Sequence, residues 1–491
     1  MTGKRWIAVL AVAGLVAAAC GDDDDDDAAP DATEDAGAAP TAASEETTAD
    51  TGAATTMAES TEPTTGDTGG ADTTAGEEID PASIETDIGV DDSTIKVGML
   101  ADLSGAFAPL VTEIVEAQEV FWEKVNEEGG IAGRQIELLV EDNAYDVATQ
   151  LEKYEILRDQ VAIFSQSTGS PHTSAIAESL VDDELVAIPL SWYSGWPDPE
   201  FGQNVFESYT TYCIESMNGI EWLAANRDVQ TVALISFPGE YGGDGDAGAR
   251  MAIEELGLEI VYDGAGQVTP PSADNPNPDQ SAVTSQIVSS GADLVWATIN
   301  PATLSAIMAG AVGQGFTGLW SGNSPTYSFK LLGTELAPLL DEHYIASTYI
   351  VTWGTDVPGM QAVVDAMSEG RPELNTSDVF ILGWTEGQIT KAILEQAAAN
   401  GDMTRAGILE AARQVEVQFD GLAPDQTWSS DDPNENLVRE SYIYDVTLDA
   451  YNPIPLGEGL GSTGWELLEG PYTGEVATNY TYEGPCFEPT G

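Results

Sequence analysis

From Thr94 onward, short apolar runs alternate with longer stretches whose apolar residues recur every three or four positions. This alternation restricts the fold more than any other feature. "TIKVGML" (Thr94 to Leu100) reads as a buried strand; Ile114, Ala117, Phe121 and Val125 then share one helical face, and the helix is expected to stop at Gly129-Gly130. "QIELLVEDN", a helix carrying Val147, Leu151, Tyr154 and Leu157, the strand "VAIF", a helix from Thr173 and the strand "LVAIPLS" continue the series. A second series opens at "TVALISF" (Thr231 to Phe237). It runs through a helix around Ala247 to Leu256, "EIVYDG", "DLVWATI", a helix from Ala302 to Val312, and "GLWSG". Helical stretches at Gly359 to Ser368, Asp378 to Ala398 and Thr404 to Arg413 follow "YIASTYIVTW". Strand and helix in turn predict an α/β fold with mostly parallel sheets covered on both faces, and two series predict two similar lobes.

The chain before Thr94 is of another kind. Lys4 and Arg5 precede an apolar stretch from Trp6 to Ala19, too short to span a membrane as a mature helix, which ends in Ala17-Ala18-Ala19-Cys20. These small residues before a cysteine resemble the lipobox of bacterial lipoproteins. Residues 1–20 are therefore expected to be a lipoprotein signal peptide, with Cys20 lipidated and the protein anchored at the cell membrane on its extracytoplasmic face. An ordinary secretory signal is the alternative, and it exports the chain equally. Asp22 to Asp80 holds 19 acids and no Lys or Arg, so residues 21–92 are expected to be a disordered acidic tether. As a coil its flexible part would span roughly 45 Å. Over the whole chain, 84 acidic and 15 basic side chains give a net charge of -69, which argues against nucleic acid and anionic membrane surfaces as partners. In an oxidising compartment the two remaining cysteines, Cys213 and Cys486, are candidates for a disulfide tying down the C-terminal tail, or for two free thiols.

Little in the sequence supports catalysis. The two histidines, His172 and His343, sit in no zinc-protease motif, and no nucleophile elbow is present. A Cys213–His172 pair is the one nucleophile alternative, and it would make the chain an exported hydrolase. "GLGSTG" (Gly459 to Gly464) matches a dinucleotide fingerprint by letters but follows no strand. "PGEYGGDG", after Phe237, carries two carboxylates and no lysine, so it would repel phosphate. No catalytic residue, metal site or cofactor is assigned.

The loops after the strands are more informative, because ligands of open α/β sheets sit at that edge. "STGSPHTSA", after Phe164, offers Ser167, Thr168, Ser170 and Thr173 at the positive end of a helix, as ligand donors and as caps for that helix. "SGAFA", "LSWYSGW", "GEYGG" and "SGNSPTY" occupy the equivalent places and bring Phe107, Trp192, Tyr193, Tyr241 and Tyr327. Aromatic walls with a few fixed polar groups describe a small-molecule cleft.

"STIKVGMLADLSGAFAPL" and "FWEKVNEEGGIAGRQIELLVEDN", with "GEYGGDGDAGARMAIEELG", "GADLVWATI", "AVGQGF" and "FDGLAP", resemble the branched-chain amino-acid-binding type of the type I periplasmic binding protein family. The resemblance covers nearly everything from Thr94 to about Leu448. It implies two doubly wound parallel-sheet lobes joined by a three-strand hinge, in a solute-binding domain spanning 93–491. Lobe 1 would be 93–210 and 352–425, and lobe 2 would be 211–351 and 426–491. It also implies a monomer that captures an amino acid, amide or short carboxylate and hands it to ABC permease and ATPase subunits; a ligand sensor on the same fold would need the same cleft. By position Ser170 and Thr173 would hold a ligand carboxylate with help from Ser191 and Trp192, Tyr241 would lie against the ligand, and Phe107 and Asn323 would complete the site. Asn323 stands where amino-acid binders place an acid for the α-ammonium. A plain branched-chain amino acid therefore needs Glu240 or Glu386 as a substitute. The stretch after Tyr451 has no assigned role.

Overall fold

The computed structural model describes residues 81–489. The expected lipidation site Cys20, the expected signal peptide and most of the stretch expected to be an acidic tether lie outside them. The folded body starts earlier than 93. Glu85–Thr86 (β1) pairs in parallel with Asp402–Met403, and Ile84 and Val90 are buried.

Thr94–Ala101 (β2), Gln135–Asp142 (β3), Ile163–Thr168 (β4) and Ala187–Leu190 (β5) form a parallel sheet in the order β3-β2-β4-β5. Ala108–Glu127 (α1), Val147–Leu157 (α2) and Ser170–Asp182 (α3) are its crossover helices. Every residue of β4 and β5 is buried, as in a sheet covered on both faces; β5 and the start of β4 are apolar, while Ser165 to Thr168 carry polar side chains into the buried end of β4.

Tyr212–Asn226 (α4) opens the second lobe. Thr231–Ser236 (β6), Glu259–Gly264 (β7), Leu294–Thr298 (β8) and Leu319–Gly322 (β9) pair in parallel in the order β7-β6-β8-β9, with Glu240–Leu256 (α5), Ser281–Ser290 (α6) and Pro301–Gly313 (α7) between them. The Gly-rich "GEYGG" is not a loop: its residues from Glu240 on form the first turn of α5, with Gly243 N–H donating to Gly239 O. Close packing explains its glycines, since a Cβ at Gly248 would lie 2.0 Å from Cys213 O on α4.

The chain then makes Ala337–His343 (α8) and Ile345–Thr348 (β10) and returns to the first lobe as Met360–Gly370 (α9), Val379–Asn400 (α10), Asp402–Met403 (β11) and Arg405–Ala412 (α11). Helix α10 lies against α1 so closely that a Cβ on Gly383 would meet Ile114 O at 2.2 Å. Glu416–Val417 (β12) and Gln426–Thr427 (β13) pair with each other, Pro433–Asn436 (α12) follows, and the chain crosses a third time. The first and third crossovers bridge at Thr210 and Val438.

The stretch after Tyr451 completes the second lobe. Ser441–Asn452 (β14) and Ser462–Tyr472 (β15) add an antiparallel sheet in the order β10-β14-β15. The letters "GLGSTG" lead into a strand, not a phosphate-binding helix. After Glu475–Asn479 (α13) the tail is joined to α4 by a disulfide between Cys486 and Cys213. It also reaches the loop after β5: Cys486 N–H donates to Ser194 Oγ (2.8 Å), Tyr482 OH to Ser194 O (2.8 Å), and Tyr193 OH to Phe487 O (2.6 Å). The tail thus fastens both lobes. The bond closes 273 residues of chain, so the variant Cys213→Ser/Cys486→Ser is expected to lose about 2–4 kcal/mol in urea denaturation; an unchanged midpoint would show that the disulfide adds no stability.

A ligand cleft between the lobes

Two carboxylates shape the loops that open onto the cleft. Asp102, at the end of β2, accepts from Gly105 N–H (2.5 Å) and Phe107 N–H (2.7 Å), which curls the loop and presents the Phe107 ring. Asp142, at the end of β3, accepts from Leu103 N–H (3.0 Å) and Ala144 N–H (2.8 Å). Ala144 O comes so near that a Cβ at Gly105 would be 2.4 Å away, so only glycine fits there. Helix α3 starts at Ser170 behind Gly169, whose φ of 97° suits glycine. No side chain caps α3, so the expected capping role of the hydroxyl cluster is not realised.

Phe107, Ser170, Trp192 and Tyr241 all line one cleft with an empty volume of about 920 Å³, including solvent at its mouth. Ser170 Oγ lies 2.7 Å from Ser191 Oγ, and Ser191 also receives Trp196 Nε1–H. Ser191 therefore stands behind Ser170 and does not face the cleft. Trp192 packs on Tyr349 (ring centroids 4.3 Å) and Tyr212 (5.8 Å), and its buried Nε1–H has no partner. Tyr241 gives its hydroxyl to Ile299 O (2.9 Å) and offers its ring, 4.7 Å from that of Tyr212.

Three expected contacts fall elsewhere. Thr173 Oγ1 donates to Ser167 O (3.1 Å), tying α3 to β4. Tyr193 turns away to the tail. Asn323 is wholly buried behind the wall. Its Nδ2 donates to Tyr212 O and Glu215 Oε2 (both 2.9 Å), and its Oδ1 accepts from Thr298 Oγ1 (2.8 Å). It is a tie between α4 and the second sheet, because the strand end directs its side chain inward. Glu240 and Glu386 are also absent from the lining, and Glu386 is held by Gln118 Nε2 at 2.7 Å.

The sequence reading missed the aliphatic side of the cleft. Leu110, Val111 and Ile114 of α1 adjoin Val379 and Leu382 of α10, opposite Phe329, Ile350 and Trp465 from the second lobe and the second crossover. Among the described residues no Lys, Arg or His lines the cleft. Its one acid, Asp378, already accepts from Trp353 N–H (2.9 Å), Thr463 Oγ1 (2.7 Å) and Trp465 Nε1–H. Burial pushes this carboxyl up to about 6.

The lobes touch across the cleft. Lys330 Nζ meets Glu113 Oε1 (2.8 Å) and Pro109 O (2.6 Å), and Asn300 Nδ2 donates to Ala106 O (3.0 Å). Beside the hinge, Ser194 gives its N–H (3.1 Å) and its hydroxyl to Asp244 of α5. The lobes are closed over a cavity with one aliphatic wall and one wall of hydroxyls and rings.

Residues 94–451 match the family model described as periplasmic binding protein, and the chain belongs to that family. It is a solute-binding protein with parallel sheets flanked by helices in two lobes. Among solved structures it is similar to a fatty acid ABC transporter substrate-binding protein from Thermomonospora curvata. The two are 28% identical with a TM-score of 0.71, over 82% of this chain and 98% of that one. A branched-chain amino acid ABC transporter protein from Thermus thermophilus with bound valine is 18% identical (TM-score 0.64), over 80% and 98% of the two chains. An ABC transporter solute-binding protein from R. palustris in complex with benzoate is 15% identical (TM-score 0.61), over 77% and 96%. No curated protein matches the chain.

Burial also pushes Asp244 up to about 7 and Glu215 up to about 8. With Asp378, these carboxyls hold protons in the folded chain at pH values where the unfolded chain, with ordinary values of 3.8 and 4.5, has lost them. Their contribution to stability is therefore greatest below the ordinary values and falls as pH rises towards about 6 to 8. The melting temperature is expected to be higher at about pH 5 than at about pH 8; a rise over that interval would contradict this reading.

Proposed function

We propose that this protein captures a carboxylate with an extended apolar body, of the fatty-acid kind, and delivers it to an ABC permease. The observation that carries the reading is the lining of the cleft among the described residues: a continuous aliphatic wall, no cation, and one acid that already accepts three hydrogen bonds. An α-amino acid has nowhere to put its ammonium without a desolvation loss. A carboxylate has Ser170 at the start of α3, whose positive end favours an anion, and the unpartnered Trp192 Nε1–H. The apolar body then lies on Leu110, Ile114 and Leu382. The name of the Thermomonospora curvata neighbour agrees with this chemistry.

The reaction is capture without turnover. Cys213 is bonded to Cys486 and offers no thiolate, which speaks against the Cys213–His172 pair as a nucleophile. Cys20 as a lipidated N-terminus, with the acidic stretch behind it as a leash, would hold this trap beside its permease on the extracytoplasmic face of the membrane.

Decanoate and longer saturated acids are expected to raise the melting temperature by mass action, while leucine, isoleucine and valine leave it unchanged. Trp192→Ala should weaken decanoate binding about thirtyfold, equivalent to about 2 kcal/mol. Stabilisation by the branched-chain amino acids and not by the acids would reverse the assignment.

A further inference from the structure

A second cavity, with an empty volume of about 1150 Å³ including adjoining solvent, lies where the first and third crossovers run together. Phe206, Glu207 and Tyr209 line it from the first crossover and Trp428 from the third, with Trp196 from the loop after β5. None of these residues was singled out by the sequence, and solute capture in the main cleft does not use them.

Glu207 is the group that asks for a partner. It is 7% exposed, and its Oε1 is buried without a donor. Among the described residues no ion pair reaches it; Arg413, the one basic side chain of this lining, is 3.5 Å from Gln203 O instead. The negative charge of Asp244 acts on Glu207 in the same sense as burial, and both hold its carboxyl well above the usual range. A cation brought to Glu207 would relieve this, since an unpaired carboxylate is disfavoured where it is buried. The walls say which kind of cation. A metal ion needs several oxygen or nitrogen ligands, and no group of three or more His, Cys, Asp or Glu suited to a metal exists among the described residues. A primary ammonium needs three acceptors, which the rings beside Glu207 do not supply. Next to Glu207 itself the walls are rings: Trp428 stands edge-on to Phe206 (5.7 Å) and is pinned by its Nε1–H to Glu207 O (2.6 Å). Asp198 and Asp431 stand at the less buried edge of the same lining and add negative charge there. Rings beside a buried carboxyl, with acids at the rim, suit a quaternary ammonium, which takes no hydrogen bonds.

From the unpartnered Glu207 carboxylate among Trp196, Phe206 and Trp428, we infer that the hinge cavity is a second binding site, for a small quaternary ammonium ion. The site is coupled to the cleft. Tyr209, held at φ 69° where a bulky side chain is strained, stacks on Tyr349 (5.4 Å), which packs on Trp192 of the cleft (4.3 Å). An occupant against Tyr209 braces both crossovers in the closed arrangement, so each ligand tightens the other by the same factor.

The test uses the full oxidised chain, with choline as the probe and its neutral isostere 3,3-dimethylbutanol and sodium chloride at equal concentration as controls. Choline is expected to raise the melting temperature saturably and the two controls not to do so. Glu207→Gln should abolish that response while the response to decanoate persists. Trp428→Leu, which keeps an apolar side chain there, should weaken choline about tenfold, and it decides the matter if Glu207→Gln fails to fold. Ser170→Ala, in the cleft, should leave the choline response in place, so a failure of the fatty-acid reading is seen separately. No shift with choline, an equal shift with sodium chloride or the isostere, or full choline binding by a folded Glu207→Gln or Trp428→Leu would overturn the inference.

Discussion

Neutral donors, not cations, hold the buried carboxylates where the lobes meet. Asp244 is held by the Ser194 hydroxyl and by the N–H groups of Ser194 and Cys213, Glu215 by Asn323 and the N–H of Ser324, Glu386 by Gln118, and Asp378 by two side-chain donors and one N–H. With 15 basic side chains against 84 acids, few cations are to be had, and one of them, Arg371, is shared among Glu116, Glu119 and Glu123 of α1. A carboxylate bonded only to neutral donors keeps its desolvation penalty, which is why these groups titrate high. The closed junction is therefore held by hydrogen bonds of fixed geometry, and its stability follows pH.

The same scarcity determines what the cleft can hold. A site without a cation or a free acid discriminates by shape, apolar area and a few neutral donors. Filling the wall from Leu110 to Leu382 yields hydrophobic free energy at about 25 cal/mol per Å² buried, so length of the apolar body becomes the main source of affinity. On the proposed reading, closure would exclude water from the polar end of the ligand, where Ser170 and Trp192 would gain strength from the low dielectric. The tail adds a second fastening: a disulfide to α4 and hydrogen bonds to the loop after β5 place it across the junction that must open for release.

Much of this was legible in the sequence, for a reason visible in the strands. A parallel sheet covered on both faces demands unbroken apolar runs, and "VAIF" and "TVALISF" announce them. Phe107, Ser170, Trp192 and Tyr241 were reached because each follows a strand end. Leu110, Ile114 and Leu382 were not, because one helical periodicity serves core and cleft alike and cannot say which face is empty. Trp465 depends on pairing between β14 and β15 and back to β10, a long-range fact no local pattern carries. Asn323 was misplaced because position along the chain does not reveal whether a side chain at a strand end points to the ligand or under the sheet. The first turn of α5 was hidden by its glycines, which read as a loop until α4 is seen against them.

The most direct test of the account is a crystal structure of the protein with decanoate. It predicts the carboxylate within hydrogen-bond distance of Ser170 and Trp192 Nε1, and the chain laid along Leu110, Ile114 and Leu382 between closed lobes. A decanoate bound outside the cleft, or reversed with its carboxylate against the aliphatic wall, would contradict it.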